Sequence, residues 1–200
     1  MQMTPETILD FWFGSDADDA MVAKQRSDLW WTKNKATDDE IRHRFENYVI
    51  LADSEQLKDW LTTPRGRLAL IILCDQFPRN IYRDTARAFS CDEKALTWCI
   101  EGLERKIDRE LRPIERVSFY LPLEHAEFIE PQDLSVKYFR ELVLEVDPEQ
   151  KTLFEGYLHY AIQHRQIIER FGRFPHRNRL LSRESTKEEM EFLKESEASF

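Results

Sequence analysis

The sequence predicts a single all-α domain spanning residues 1–200, and three observations predict it. Apolar residues recur at helical spacing, as in the stripe formed by Ile41, Phe45, Val49 and Ala52. No segment shows the alternation of Val, Ile and Thr that is typical of a strand. Only 5 glycines are present, too few for a glycine-rich β or nucleotide-binding fold. We therefore expect about eight or nine helices joined by short connections.

Most of the expected helix starts carry a local signal. Five dipeptides place proline at a first helical position, where the N–H that proline lacks would have no partner: Thr4-Pro5, Thr63-Pro64, Arg112-Pro113, Glu130-Pro131 and Asp147-Pro148. Capping boxes predict two further starts, at Thr37 with Glu40 and at Ser185 with Glu188. Ser54 is a candidate cap for a short segment at residues 55–61.

The bodies of the predicted helices differ in their patterns. Residues 67–77 are apolar nearly all round, which predicts a helix enclosed by others. Residues 84–101 predict a further helix, stopped at Gly102. Residues 153–171 carry a long apolar stripe that ends at Gly172, a residue type common just after a helix.

The composition disfavours several classes of protein. A net charge of −9 argues against nucleic-acid binding, which needs a basic surface. The longest apolar run, residues 68–74, is too short to span a membrane. The first residues lack the basic and apolar segments of a secretory signal, and the 3 cysteines lack the spacing of a zinc site. We expect a cytoplasmic protein with reduced cysteines and with neither a membrane nor a nucleic-acid partner.

Three prolines do not mark helix starts, and the candidate functional residues surround them. Pro78, Pro122 and Pro175 each lie in a segment that follows or interrupts an apolar helix. These segments are dense in Asp, Arg, Asn, Glu and His, the residue types used in binding and catalytic sites. We expect the three proline-centred corners, which are far apart along the chain, to meet at one hollow.

Arginine is concentrated near the third corner. Six arginines and His176 lie within residues 165–183, together with a single acidic residue, Glu169. A guanidinium group suits planar, two-point recognition of a carboxylate or phosphate. This pattern predicts a groove that binds a small anionic or carboxylate-bearing ligand, such as a peptide C-terminus. The predicted binding residues are Arg79, Asn80, Arg83, His125, Arg173, His176, Arg177 and Asn178.

Two other interpretations fit the same segments. Polar residues after buried helices also form structural networks that lock helix ends together, which would make the protein an interaction scaffold. The second corner also suits a hydrolase or transferase, with His125 and either Glu124 or Glu127 as an acid–base pair. If these residues are helical, the two glutamates share a face. All three interpretations remain open at this point.

Neither a metal nor another cofactor is expected. His159 and His164 are five residues apart, which places them on different faces of a helix. The sequence contains no His-Glu-x-x-His motif and no glycine-rich phosphate loop.

The three proline-centred segments, taken in order, also carry a family resemblance. They read Gly-Arg-Leu-Ala-Leu-Ile-Ile-Leu-Cys-Asp-Gln-Phe-Pro-Arg-Asn-Ile-Tyr-Arg at 66–83, Tyr-Leu-Pro-Leu-Glu-His-Ala-Glu at 120–127 and Arg-Phe-Gly-Arg-Phe-Pro-His-Arg-Asn at 170–178. The chain resembles the bacterial domain-of-unknown-function family nine-two-four over essentially its whole length. The resemblance implies a fold similar to tetratricopeptide-repeat proteins, with antiparallel helix pairs stacked into a right-handed superhelix, and no established activity. Stacks of this kind present a concave groove to peptides or small ligands.

Overall fold

Helices form all of the regular structure in residues 3–196, the part of the chain that the computed structural model describes. No β-strand occurs within that range, which confirms the prediction of an all-α protein. The α-helices are α1 (Pro5–Phe13), α2 (Asp19–Trp31), α3 (Lys35–Asp53), α4 (Pro64–Ile71), α5 (Phe77–Ile81), α6 (Asp92–Glu104), α7 (Pro113–His125), α8 (Ile129–Glu145), α9 (Lys151–Phe171) and α10 (Lys187–Ser196). None of the described helices is long and apolar enough to cross a membrane.

Some of the helix starts predicted from proline and capping signals are confirmed, and others are wrong. Pro5, Pro64 and Pro113 each begin a helix, as expected. The box expected at Thr37 is wrong, because Asn34 accepts bonds from the first backbone N–H groups of α3 and the helix begins at Lys35. The box expected at Ser185 lies one residue later, where Thr186 and Glu189 exchange the two bonds.

Two further boundary predictions are wrong. Ser54 does not start a helix; it follows α3, and its hydroxyl donates back to the carbonyl of Ile50. The helix expected at 84–101 is divided into a 3₁₀ turn (Ala86–Phe89) and α6, which runs through Gly102. A side chain at Gly102 would lie 2.6 Å from the Phe119 ring, so this glycine permits close helix packing instead of stopping the helix.

The expected apolar helix at 67–77 is the centre of the molecule. It is built from α4, a π-helical turn (Ile72–Gln76) and α5, and every residue from Gly66 to Pro78 is buried. Helices α1, α3, α6 and α7 pack around it. π-Helical turns occur often at functional sites, and this one carries Asp75.

Helix α7 is also almost fully buried, and Pro122 lies inside it rather than breaking it. The helix continues to His125 and ends there. The expectation that Glu124 and Glu127 share a helical face is therefore wrong, because Glu127 lies beyond the end of the helix. Helix α8 packs on α7, and α9 packs along α8, which brings the segment after α9 towards the end of α7. The superhelical arrangement stays a prediction.

Candidate functional site

The first two proline-centred corners meet at a buried carboxylate–imidazole pair. Asp75 is fully buried, and its two carboxylate oxygens lie 2.8 Å and 3.0 Å from Nδ1 of His125. His125 is the last residue of α7, and its side chain remains 15% exposed. Because Nδ1 faces the carboxylate, Nε2 is the nitrogen left for another partner.

Arg79 joins this pair to the start of α6. Its Nη1 and Nη2 donate to the two oxygens of Asp92 at 2.9 Å and 3.0 Å, and Nη1 also donates to the backbone carbonyl of Asp75. Burial alone would raise the pKa of Asp75, but Arg79 and His125 outweigh it and hold that pKa well below its usual range. Asp75 is therefore an anion at neutral pH.

The third corner contributes Arg177, which is only 6% exposed. Its guanidinium carbon lies 4.7 Å from the ring centre of Phe89 and 4.5 Å from that of Phe174, so the cation is held between two aromatic rings. Nη1 is 3.6 Å from Asp92, longer than a hydrogen bond, and the buried Nε has no partner among the described residues. Burial, with repulsion from Arg79, lowers the pKa of Arg177 to about 10. Arg177 remains charged at neutral pH and is incompletely paired.

We call Asp75, Arg79, Asp92, His125 and Arg177 the arginine–histidine cluster. It contains residues from all three corners, which are joined through these side chains. The shared hollow stays a prediction. His176, beside Arg177, is exposed, and its ring centre lies 5.6 Å from that of Phe174.

Three titratable groups in and beside the cluster are neutral at pH 7. Burial, reinforced by the charge of Arg79, lowers the pKa of His125 to about 4. Burial likewise lowers the pKa of His164 on α9 to about 4. Burial, with repulsion from Asp75, raises the pKa of Glu124 to about 8. Glu124 Oε1 lies 3.2 Å from Nδ1 of His164. The pKa of Glu124 is thus raised, whereas that of Asp75 is lowered. Neighbouring carboxyl groups whose pKa values are displaced in opposite directions are a feature of acid–base sites.

The other predicted residues of the first corner point to a different neighbour. Asn80 donates to Asp38 at 2.9 Å, and Arg83 donates to both oxygens of the same carboxylate at 2.7 Å and 2.8 Å. We call these three residues the Asp38 clamp. It fixes the end of α5 to the first turn of α3.

Predicted residues of the third corner also have protein partners. Arg173 donates to both oxygens of Glu189 on α10, at 2.7 Å and 2.9 Å, and we call this pair the α10 clamp. Asn178 donates to Ser185 and accepts from Arg183. Glu127 accepts from Arg183 and from the backbone N–H of Phe174. The carboxylate that bonds to His125 is therefore Asp75, and neither predicted glutamate does so.

Comparison with known proteins agrees with this architecture. A family model described as "Bacterial protein of unknown function (DUF924)" matches residues 8–197. The chain belongs to the DUF924 family. Its structure is similar to that of a protein of unknown function from Agrobacterium tumefaciens, with 37% sequence identity and a TM-score of 0.80 over 96% of this chain and 97% of the other. No match was found among curated proteins.

Several residues in and around the arginine–histidine cluster of this DUF924 protein are not among those predicted from the sequence. Asp75 lies in the first proline-centred segment, and its position three residues before Pro78 was the available signal. Asp92 and Phe89 lie outside all three segments, so only the fold brings them to Arg79 and Arg177. The spacing of His164 from His159 bears only on metal binding and does not indicate a contact with Glu124. Within the described part of this DUF924 chain, no group of three or more His, Cys, Asp or Glu residues is arranged to hold a metal ion.

The cluster of this DUF924 protein combines two chemical properties. Arg177 provides a buried positive charge whose Nε donor has no partner among the described residues, a property that suits an anion. His125 provides a neutral imidazole whose orientation is set by Asp75, which suits the acceptance of a proton at Nε2.

Proposed function

We propose that this protein binds a small ligand bearing a carboxylate or phosphate group, such as a peptide C-terminus, at the arginine–histidine cluster. The observation that carries the proposal is the incomplete pairing of Arg177. Its Nε is buried without a partner, and its contact with Asp92 is long. A buried charge without full compensation is destabilising, and an anionic ligand would offset that penalty.

We assign fewer residues to the ligand than the eight that the sequence predicts. Arg177, whose Nε is buried without a partner, is the residue that we assign to the anionic group of the ligand, and His125 and His176 lie beside it. Arg79 donates to both oxygens of Asp92, so we assign to it an effect of its positive charge and no direct bond to the ligand. Arg83 and Arg173 each donate two hydrogen bonds to one carboxylate, an arrangement that uses the fork of the guanidinium group. We assign these two arginines, with Asn80 and Asn178, a structural role.

A thermal-shift titration tests the proposal. The probes are inorganic phosphate, succinate and trialanine, with amidated trialanine as a control that lacks the carboxylate. A ligand at 100 times its dissociation constant stabilises the folded state by about 2.7 kcal/mol. For a chain of this size that corresponds to a rise in Tm of roughly 5–10 °C.

The matched variants are Arg177→Met and Arg165→Met. Both remove one positive charge, but Arg165 lies on the exposed surface of α9 in bonds to Asp133 and Glu169. We expect the probe-induced shift to disappear in Arg177→Met and to persist in Arg165→Met. A shift that is absent with every carboxylate and phosphate probe, or that survives the loss of Arg177, contradicts the proposal.

A further inference from the structure

We propose that the ligand is a substrate, and that the cluster hydrolyses a carboxylic ester whose acid portion carries a second, free carboxylate. In this reaction His125 is the general base, Asp75 positions it, and Arg177 holds the free carboxylate. The inference rests on the proposed function, because it uses the same anion site.

The geometry of Asp75 and His125 is that of a base held for proton transfer. Nδ1 lies within hydrogen-bonding distance of both oxygens of a fully buried, ionised carboxylate. The proton on Nδ1 is therefore fixed there, and the lone pair resides on Nε2. The His125 side chain is 15% exposed at the very end of α7, and we place the entry of water and substrate there.

The charges around His125 link its basicity to ligand binding. The groups that face it from its own helix and from neighbouring elements are Asp75, Arg79, Glu124, His164, His176 and Arg177. In the empty protein, burial and the two arginines keep the imidazole neutral. A ligand carboxylate beside Arg177 opposes their effect, so we expect His125 to become a stronger base when substrate is bound.

The proposed step is balanced without any further reactant. Nε2 of His125 accepts a proton from water, and the water oxygen forms a bond to the ester carbonyl carbon. The carbonyl electron pair moves to its oxygen, where the positive charge of Arg79 stabilises it. When the carbonyl re-forms, the carbon–oxygen ester bond breaks and the alcohol oxygen takes the proton from Nε2. The products are a carboxylic acid and an alcohol.

The charge of the cluster disfavours a doubly charged substrate. Arg79 and Arg177 are matched in number by Asp75 and Asp92, and the neighbouring Glu124 is protonated. A ligand carboxylate adds one negative charge, whereas a phosphate monoester adds close to two. Planar, two-point recognition by a guanidinium group also suits a carboxylate.

The test uses the purified full-length chain with 4-nitrophenyl hemi-esters of succinate and glutarate, followed by release of 4-nitrophenol. We expect turnover above the buffer rate, and a fall in kcat of at least about 100-fold in His125→Gln. His159→Gln is the matched control, because His159 is an exposed histidine on α9. Binding of succinate, measured by thermal shift, should persist in His125→Gln. Failure of catalysis is thus separated from failure of the anion site.

Asp75→Asn tests the positioning role. We expect kcat to fall with little change in KM, and the inflection in the pH profile of kcat/KM to move, because the carboxylate no longer stabilises protonated His125. If this variant does not fold, His125→Gln alone decides the proposal.

Three results would overturn the inference. They are no turnover of either hemi-ester by the wild type, equal turnover in His125→Gln, and turnover of bis(4-nitrophenyl) phosphate without turnover of the hemi-esters.

Discussion

The short helix α5 and the turn after it send polar side chains to two regions that differ in how their charges are matched. In the Asp38 clamp, one carboxylate receives two bonds from Arg83 and one from Asn80. In the arginine–histidine cluster, one carboxylate, Asp92, is bonded to Arg79 and lies at a longer distance from Arg177. The carboxylate of the Asp38 clamp is fully used by its two partners, whereas the cluster contains a buried cation, Arg177, whose Nε has no partner among the described residues.

Under the proposed function, this difference separates Arg83, as a structural arginine, from Arg177, as a ligand-binding one. A complete network contributes stability and has no donor left for a ligand. An incomplete one is destabilising in the empty protein and is retained where binding requires it.

Removing the carboxylate of the Asp38 clamp should have the largest effect. Asp38→Ala leaves Arg83 and Asn80 without their partner. Because the Arg83 side chain is partly exposed, we expect a loss of about 2–3 kcal/mol in the free energy of unfolding, at the lower end of values for broken buried ion pairs. Urea denaturation measures it.

The adjacent acid provides a control for this variant. Asp39 forms ion pairs with Lys35 and Arg42 on the exposed side of α3, so Asp39→Ala should lose less than about 1 kcal/mol. Equal losses in Asp38→Ala and Asp39→Ala would show that the clamp contributes no more than surface ion pairs.

The cluster should have a distinct dependence of stability on pH. The pKa of Glu124 rises from 4.5 in the unfolded chain to about 8 in the folded protein, so the folded state holds an extra proton and stability falls as pH rises across that range. His125 and His164 have folded pKa values of about 4, lowered from 6.5, so their effect is a rise in stability from pH 4 to 6.5. We expect a maximum near pH 6.5.

Glu124→Gln isolates the acidic part of this profile. In the wild type, stability should fall by about 1–2 kcal/mol between pH 6.5 and 8, and the variant should remove that fall. The Asp38 clamp should not contribute in this window, because Arg83 and Asn80 hold the pKa of Asp38 below its usual value against the effect of burial. A wild-type profile that is flat from pH 6.5 to 8 would mean that Glu124 is ionised.

Replacing the incompletely paired arginine should change stability little. In Arg177→Met, an apolar chain of similar length replaces the cation between Phe89 and Phe174, and we expect stability within about 1 kcal/mol of the wild type, or higher. Arg83→Met, in the completed network, should lose about 1–2 kcal/mol. Urea denaturation of both variants in anion-free buffer compares them. A greater loss in Arg177→Met than in Arg83→Met would reverse the assignment of the two regions.

The fold was more predictable than the site because helices depend on local signals. Prolines 5, 64 and 113 mark helix starts as predicted, and the apolar pattern of residues 67–77 identifies the buried centre. The same signal is wrong at Pro131, which lies inside α8, and at Pro148, which precedes the start of α9 at Lys151. The partner of an arginine depends on tertiary structure. Arg83 meets Asp38 and Arg79 meets Asp92, and no spacing in the sequence distinguishes these pairs from Arg177. The π-helical turn at Asp75 has no local signal either, since its residues read as ordinary apolar helix.

The α10 clamp provides the smallest and most local test. Arg173 bonds to Glu189 on α10. Helix α10 also contacts α9 through the ion pair of Arg170 with Glu188 and through the rings of Phe171 and Phe192, which are 5.1 Å apart. Arg173→Met should therefore speed amide hydrogen exchange in α10 while exchange in α4 and α7 stays unchanged, because a terminal helix opens locally at lower free energy than the core. Arg165→Met, on α9 with partners outside α10, is the control. If exchange in α10 is equally slow in both variants, the aromatic contact and the Arg170–Glu188 ion pair hold the helix without Arg173. Arg173 would then be as available to an anion as Arg177, and the division between clamps and cluster would have to be redrawn at this residue.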